Sequence, residues 1–305
     1  MSELLLSTNG LTKQYGHHKA VDKVNLHIKK GAIYGFIGRN GAGKTTCLKM
    51  ISGLARPTAG EIEMFGCKGK ELERIRSRVG CLIEAPGLYG NMNAYTNLKI
   101  KCELFGIRKK GYIEDILETV GLEGVGKKKT KHFSLGMKQR LGIGLALVGE
   151  PDLLVLDEPI NGLDPQGIAE VRDTIQRLRD ERNMTILISS HILEELSKIA
   201  TDYGIIHNGS LLQELTSEEL MKRCSERIEI ELIHPEQAVP ILDRMGFTNY
   251  QVTDKEHIHI FERLNESAAL NMELAKSGIP VKGISITSEE LETYFLNLTG
   301  GVDHA

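Results

Sequence analysis

The stretch Gly38-Arg39-Asn40-Gly41-Ala42-Gly43-Lys44-Thr45-Thr46 leaves few folds open to this chain of 305 residues. It follows the apolar run Ala32-Ile33-Tyr34-Gly35-Phe36-Ile37 and leads into Cys47-Leu48-Lys49-Met50-Ile51. Strand, glycine loop and helix, in that order, turn the spacing G-x-x-x-x-G-K-S/T into a phosphate site. The glycines let the backbone curl until several N–H groups point at one spot, and the new helix adds its positive end. An ordinary glycine turn is the plain alternative, and the flanking elements weigh against it. The whole stretch is therefore expected to cradle the phosphates of a nucleotide. Lys44 is expected to reach the β- and γ-phosphates, and the Thr45 hydroxyl to ligate Mg²⁺.

Other apolar runs supply the sheet. Asp152-Leu153-Leu154-Val155-Leu156-Asp157-Glu158-Pro159 reads as a strand buried on both faces that ends abruptly in two carboxylates. A helix from Pro165 to about Arg182 follows, with proline in a favoured first-turn position. A second buried strand, Thr185-Ile186-Leu187-Ile188-Ser189, ends at Ser190-His191, and a helix runs on from Leu193 to Ala200. Ligands of open α/β sheets sit at the carboxyl ends of strands. Asp157 is thus expected to help hold Mg²⁺, directly or through a water, and Glu158 to polarise the water attacking the γ-phosphate. A solvated acidic turn is the alternative. His191 ends a strand on the same side and is expected to hydrogen-bond the γ-phosphate or that water. That role rests on its neighbours, since an isolated histidine is usually structural.

Leu4-Leu5-Leu6 and Val24-Asn25-Leu26-His27-Ile28 have strand character, and between them Tyr15 is either a half-buried edge tyrosine or a platform for the nucleotide's base. Short strands are expected at Gly60–Gly66 and Arg78–Glu84. From Ala85 to about Gly149 the texture turns helical, an insertion between two sheet strands. Within it, Ser134 and Gly136 open a helix, which is either simply capped or a second phosphate device. The hairpin Tyr203–Gln213, turning at Asn208-Gly209, finishes the sheet. From about Thr216 the pattern restarts: strands at Arg227–Ile233 and His257–Phe261, with helices near Ala238–Arg244, Ala268–Lys276 and Glu289–Leu298, make a small α+β unit.

Taken together, Tyr15, GRNGAGKTT, FSLGMKQR (Phe133–Arg140), LLVLDEP, NGLD (Asn161–Asp164) and His191 resemble the ATPase subunit of an ATP-binding-cassette (ABC) transporter over residues 1 to about 215. The resemblance implies an α/β P-loop NTPase fold. Its mixed sheet would carry an antiparallel N-terminal β part and a helical subdomain at about 85–149, with 216–305 as a C-terminal accessory domain. It also implies ATP with Mg²⁺, and two copies dimerising head to tail. Ser134 and Gly136 would then contact the γ-phosphate across the interface, and Asp164 would link the two sites.

Two departures are visible. The usual L-S-G-G-Q reads Phe133-Ser134-Leu135-Gly136-Met137 here, with Leu135 and Met137 replacing a glycine and the glutamine while the serine and second glycine remain. The glutamine expected at the entry to the helical insertion is Glu84, a carboxylate that accepts hydrogen bonds and is able to ligate Mg²⁺ or water. That glutamate resembles the "E-loop" of subunits conferring immunity to bacitracin and lantibiotics, and SLGMKQRLGI with the ending Glu292–Gly300 fits the same branch. The implied partners are an integral membrane permease and a second ATPase subunit, at the cytoplasmic face of a bacterial membrane.

Composition narrows the rest. A net charge of -3 gives no electrostatic case for nucleic acid, and Lys127-Lys128-Lys129-Thr130-Lys131-His132 reads first as a solvated loop. Five cysteines without a C-x-x-C pair read as reduced thiols; Cys47 is either buried in its helix or alkylation-sensitive. The N-terminal residues lack the basic start and apolar stretch of a signal peptide. The charge-free run Leu141–Gly149 is far short of the ~20 residues that span a bilayer. Rival classes are a soluble ATPase of the ribosome or chromosome and a nucleotide-binding regulator without turnover. The first would show tandem motif sets or long heptads, and neither is in the sequence.

Overall fold

The computed structural model describes residues 3–224, 226–287 and 291–299. The chain divides into two compact units, Met1–Ser217 and Glu218–Ala305. The break falls two residues beyond 215 because Ser217 N donates to Thr201 O at 2.9 Å, closing the first unit.

The first unit begins with β1 (Leu4–Tyr15), β2 (His18–Val24), β3 (His27–Lys29), β4 (Ile33–Ile37), α1 (Lys44–Ile51), β5 (Ala59–Met64) and β6 (Cys67–Lys68). An antiparallel sheet runs β2-β1-β5-β6, with β3 also paired to β1. The run Val24–Ile28, expected as one strand, is broken by a side chain. The Thr8 hydroxyl donates to Val24 O at 2.9 Å and accepts from Leu26 N at 2.8 Å, replacing the ladder there.

Next come α2 (Leu72–Ile75), β7 (Val79–Leu82), α3 (Ala94–Leu104), α4 (Tyr112–Thr119), α5 (Leu135–Leu147) and β8 (Leu153–Asp157). The unit ends with α6 (Pro165–Arg182), β9 (Thr185–Ser190), α7 (Leu193–Ser197), β10 (Asp202–His207) and β11 (Ser210–Thr216). The second sheet has the order β11-β10-β4-β9-β8-β7, and all its pairs are parallel except the β10–β11 hairpin. Every residue of β4, β8 and β9 is buried, as befits a parallel sheet covered on both faces. One core joins Leu6, Val24 and Ile62 of the antiparallel sheet to Phe36, Leu48 and Val155. Cys47 lies within it, and burial pushes its thiol up to about 12, which removes it from thiolate chemistry at neutral pH.

The second unit holds α8 (Ser217–Cys224) from its second residue on, then β12 (Arg227–Leu232), α9 (Val239–Arg244), β13 (Tyr250–Val252), β14 (His257–Ile260), α10 (Ser267–Lys276), β15 (Val281–Thr287) and α11 (Leu291–Leu298). Its antiparallel sheet runs β13-β14-β12-β15, the order of a split β-α-β-β-α-β motif. The strict alternation of β12 sends Ile228, Ile230 and Leu232 into a core with Ile258, Ile260, Leu242 and Leu274. Arg227, Glu229 and Glu231 occupy the opposite face, half-buried. The strands β13 and β15 are edges, one short and one with little burial, and so left a weak pattern. Glu289 and Gly300, included in the C-terminal sequence readings, lie outside the described residues.

Candidate functional site

Register brings the chemistry-bearing residues to one edge of the parallel sheet. Ile37 is opposite Ser190 and Asp157 is opposite Ser189, so the glycine loop, the two carboxylates and His191 leave neighbouring strand ends together. The loop is tightly seated. A Cβ on Gly38 would stand 2.6 Å from Ile206 O, and one on Gly43, at φ 107°, would stand 2.4 Å from Ala20 O. Only glycine fits those two positions without moving backbone.

Lys44 is buried, and its ammonium donates to Gly38 O at 2.5 Å and Arg39 O at 3.2 Å. The same nitrogen stands 3.1 Å from Glu158 Oε1, an ion pair whose carboxylate oxygen has no hydrogen-bond partner. Glu158 Oε2 meets His191 Nδ1 at 2.8 Å. Glu158 holds a left-handed backbone at φ 48°, which costs a non-glycine residue about 1 kcal/mol. That turn carries its carboxylate between Lys44 and His191.

Thr45 Oγ1 donates to Asp157 Oδ2 at 2.8 Å, joining the helix start to the strand end. The second Asp157 oxygen accepts from Ser189 Oγ at 2.7 Å, and that hydroxyl in turn accepts from Glu158 N at 2.9 Å. Ser189 thus fixes both carboxylate residues, and the sequence reading passed it over. A polar residue closing an otherwise apolar buried strand was the available signal.

Glu84 also sits in a left-handed turn, at φ 63°, but its carboxylate is taken by Lys49 Nζ at 2.5 Å. Lys49 lies one turn beyond Thr45 on α1 and was not singled out. The Glu84 hydrogen bond holds the Lys49 ammonium above its ordinary range, against a smaller opposing effect of burial. Tyr15 is 52% exposed with Lys13 Nζ 5.0 Å from its ring centre, so it is not a half-buried packing residue.

Ser134 and Gly136 stand apart from this group within one chain. The Ser134 hydroxyl accepts from Met137 N at 3.2 Å as the cap of α5, and Gly136 lies against Gly167 of α6. Asp164 caps α6, accepting from Gly167 N at 3.0 Å. Among the described residues, no cluster of three or more His, Cys, Asp or Glu is placed to hold a metal ion. The oxygen pair Thr45 and Asp157 suits Mg²⁺ nonetheless, because that ion takes one or two protein ligands and fills its shell with phosphate and water.

Known proteins resemble this chain. Residues 21–161 match the family model described as ABC transporter. The chain is 45% identical to the bacitracin transport ATP-binding protein BcrA of Bacillus licheniformis, over 97% of this chain and 98% of that one. It is 44% identical to the lantibiotic transport ATP-binding protein SrtF of Streptococcus pyogenes, over 69% of this chain and 90% of that one. A solved structure of the ATP-binding subunit of an ABC transporter superposes with a TM-score of 0.63 at 29% identity, covering 72% of this chain and 92% of that one. The chain belongs to the ABC transporter family as one of its ATP-binding subunits, an ATPase of α/β P-loop fold.

Proposed function

We propose that this ATPase drives export of antimicrobial peptides of the bacitracin or lantibiotic kind, working with a membrane permease at the cytoplasmic face of a bacterial membrane. The observation that carries the reading is the near full-length likeness to a bacitracin transport subunit. Expressing the chain with its permease in a bacitracin-sensitive bacterium should raise the inhibitory concentration several-fold, and the Glu158→Gln variant should not. An unchanged concentration across bacitracin and a lantibiotic panel rejects the cargo.

The proposed chemistry follows from the site. Amides of Gly38–Thr46 bind the phosphates, and Lys44 moves from Glu158 to the β- and γ-phosphates as ATP enters. Thr45 and Asp157 would hold Mg²⁺, which would neutralise charge on the phosphate oxygens. Glu158, freed on one oxygen and kept in place by His191 on the other, accepts a proton from the attacking water. Tyr15 stacks on the base. Glu84 would be free to ligate that metal only if Lys49 released its carboxylate.

A second copy completes the site. Ser134 and Gly136 begin a helix whose N–H groups suit a phosphate, yet the hydroxyl caps its own helix, away from the loop it would serve. In a head-to-tail dimer they meet the partner's γ-phosphate, with Asp164 between the two sites.

The permease needs an apolar seat, and no described helix is long and apolar enough to cross a membrane. A hollow of about 400 Å³ in the first unit is lined by Leu54, Tyr89, Leu104 and Phe105, all exposed, and Leu104 is 80% so. Large apolar side chains left in water together mark a protein contact. Leu54→Glu with Leu104→Glu should abolish co-purification of the permease while the detached subunit keeps its ATPase rate. Undiminished co-purification moves the contact elsewhere. The lysines of 127–131 are exposed, as a solvated loop would have them.

A further inference from the structure

The second unit contains a cavity that the ATPase reading leaves unused. Its volume is about 1000 Å³, and it lies over β13 and β14 between α8 and α11. Small-molecule sites commonly fall in the range of roughly 300–1,000 Å³, so the space holds a drug-sized ligand. Its walls combine aromatic faces, Tyr250, Phe261 and Tyr294, with the guanidinium groups of Arg223 and Arg227.

The cations are the informative part. The Arg227 side chain is 14% exposed, and its Nε is shut off from water altogether. A buried charge normally has a close, hydrogen-bonded counter-ion. Arg227 Nη1 donates to Arg223 O at 3.2 Å, its Nε is buried with no partner, and the nearest carboxylate, Glu229, is 3.9 Å from Nη2. That carboxylate is shared: its Oε2 also accepts from Thr287 Oγ1 at 3.2 Å and stands 3.8 Å from His259 Nε2. Among the described residues, the second guanidinium has no carboxylate in hand either. Arg223 Nη1 donates to the Tyr294 hydroxyl at 2.6 Å, a neutral group. His259 adds no charge at neutral pH, since burial first and the Arg227 charge second hold its imidazole below the ordinary value. The acidic residues on the wall, Glu218 and Glu219, belong to the first turn of α8, where Glu218 pairs with Lys222 at 3.1 Å.

We propose that this cavity is a binding site for an amphipathic anion: an apolar body against the aromatic walls, and a carboxylate or phosphate on Arg227 and Arg223. The ligand supplies a close counter-charge where the described residues offer only the shared Glu229 carboxylate at 3.9 Å. An anionic head on a guanidinium gains the strength of a charge-assisted contact, while an uncharged head leaves the buried cation as it was. The site stands independently of the peptide-export reading.

Calorimetric titration of the full-length protein tests it, with saturating Mg-ATP present so that the phosphate loop is filled. The probes are dodecyl phosphate, laurate and dodecyl maltoside, each below its micelle concentration. Dodecyl phosphate or laurate should bind saturably at one site per chain, and the tighter of the two identifies the head as phosphoryl or carboxylate. Arg227→Gln should weaken that binding about tenfold or more, the loss of one good ionic contact. Arg223→Gln should weaken it likewise, and serves where Arg227→Gln lowers the melting temperature. Neither variant should change the ATPase rate. No saturable heat with either anion, or equal binding of the neutral maltoside, overturns the proposal.

Discussion

Replacing Glu158 with glutamine should cut ATP turnover by roughly a hundredfold or more, the range expected when a positioned base is lost. The same change should leave ATP bound. Glutamine keeps the size of the side chain and its two heteroatoms, but it removes a negative charge from beside the incoming γ-phosphate. Repulsion in the bound state therefore falls while the water goes unactivated. The expected result is an ATP-loaded dimer that persists on gel filtration at twice the subunit mass, with ADP giving monomer. Without nucleotide the variant should melt earlier, because the buried Lys44 ammonium, 3.1 Å from Glu158 Oε1, loses its counter-charge. Added ATP restores that charge and should raise the melting temperature by more than in the parent protein. Turnover within a few-fold of the parent would remove Glu158 from the chemistry.

Most of the first unit was legible because burial writes itself into composition. The strands β4, β8 and β9 are covered on both faces, so their sequences are continuous apolar runs that end where the sheet edge meets solvent. The register that sets Ile37 beside Ser190 and Asp157 beside Ser189 then gathers the site, and strand-end residues are the ones to look for. What escaped was carried by single side chains. Thr8 divides Val24–Ile28 by taking up backbone groups that a strand would have paired, and no period in the sequence announces that. Ser189 and Lys49 hold the Asp157 and Glu84 carboxylates by tertiary contact, which needs the fold to be known first. Ser134 and Gly136 are a different case. Their helix start is readable, but a partner chain is what would give it a phosphate.

Lys44→Met should weaken ATP about a hundredfold, roughly 3 kcal/mol, with the loss falling on affinity before rate. Methionine retains the apolar stem in a position that is 5% exposed, so packing is conserved and the charge alone is lost. The ammonium's partners without nucleotide are two backbone carbonyls and the Glu158 carboxylate. Removing it leaves Glu158 Oε1, already without a hydrogen bond, with no compensating charge, so the empty protein should also melt earlier. The two roles separate in the double variant. Lys44→Met with Glu158→Gln removes both charges together, and its melting temperature without nucleotide should recover relative to Lys44→Met. The interaction energy expected of contacting residues is about 0.5–3 kcal/mol. ATP binding should not recover, because phosphate has lost the ammonium in either background. Simple additivity of the two melting shifts would mean that the ion pair carries no energy. Undiminished ATP affinity in Lys44→Met would mean that the amides of the loop hold the phosphates unaided.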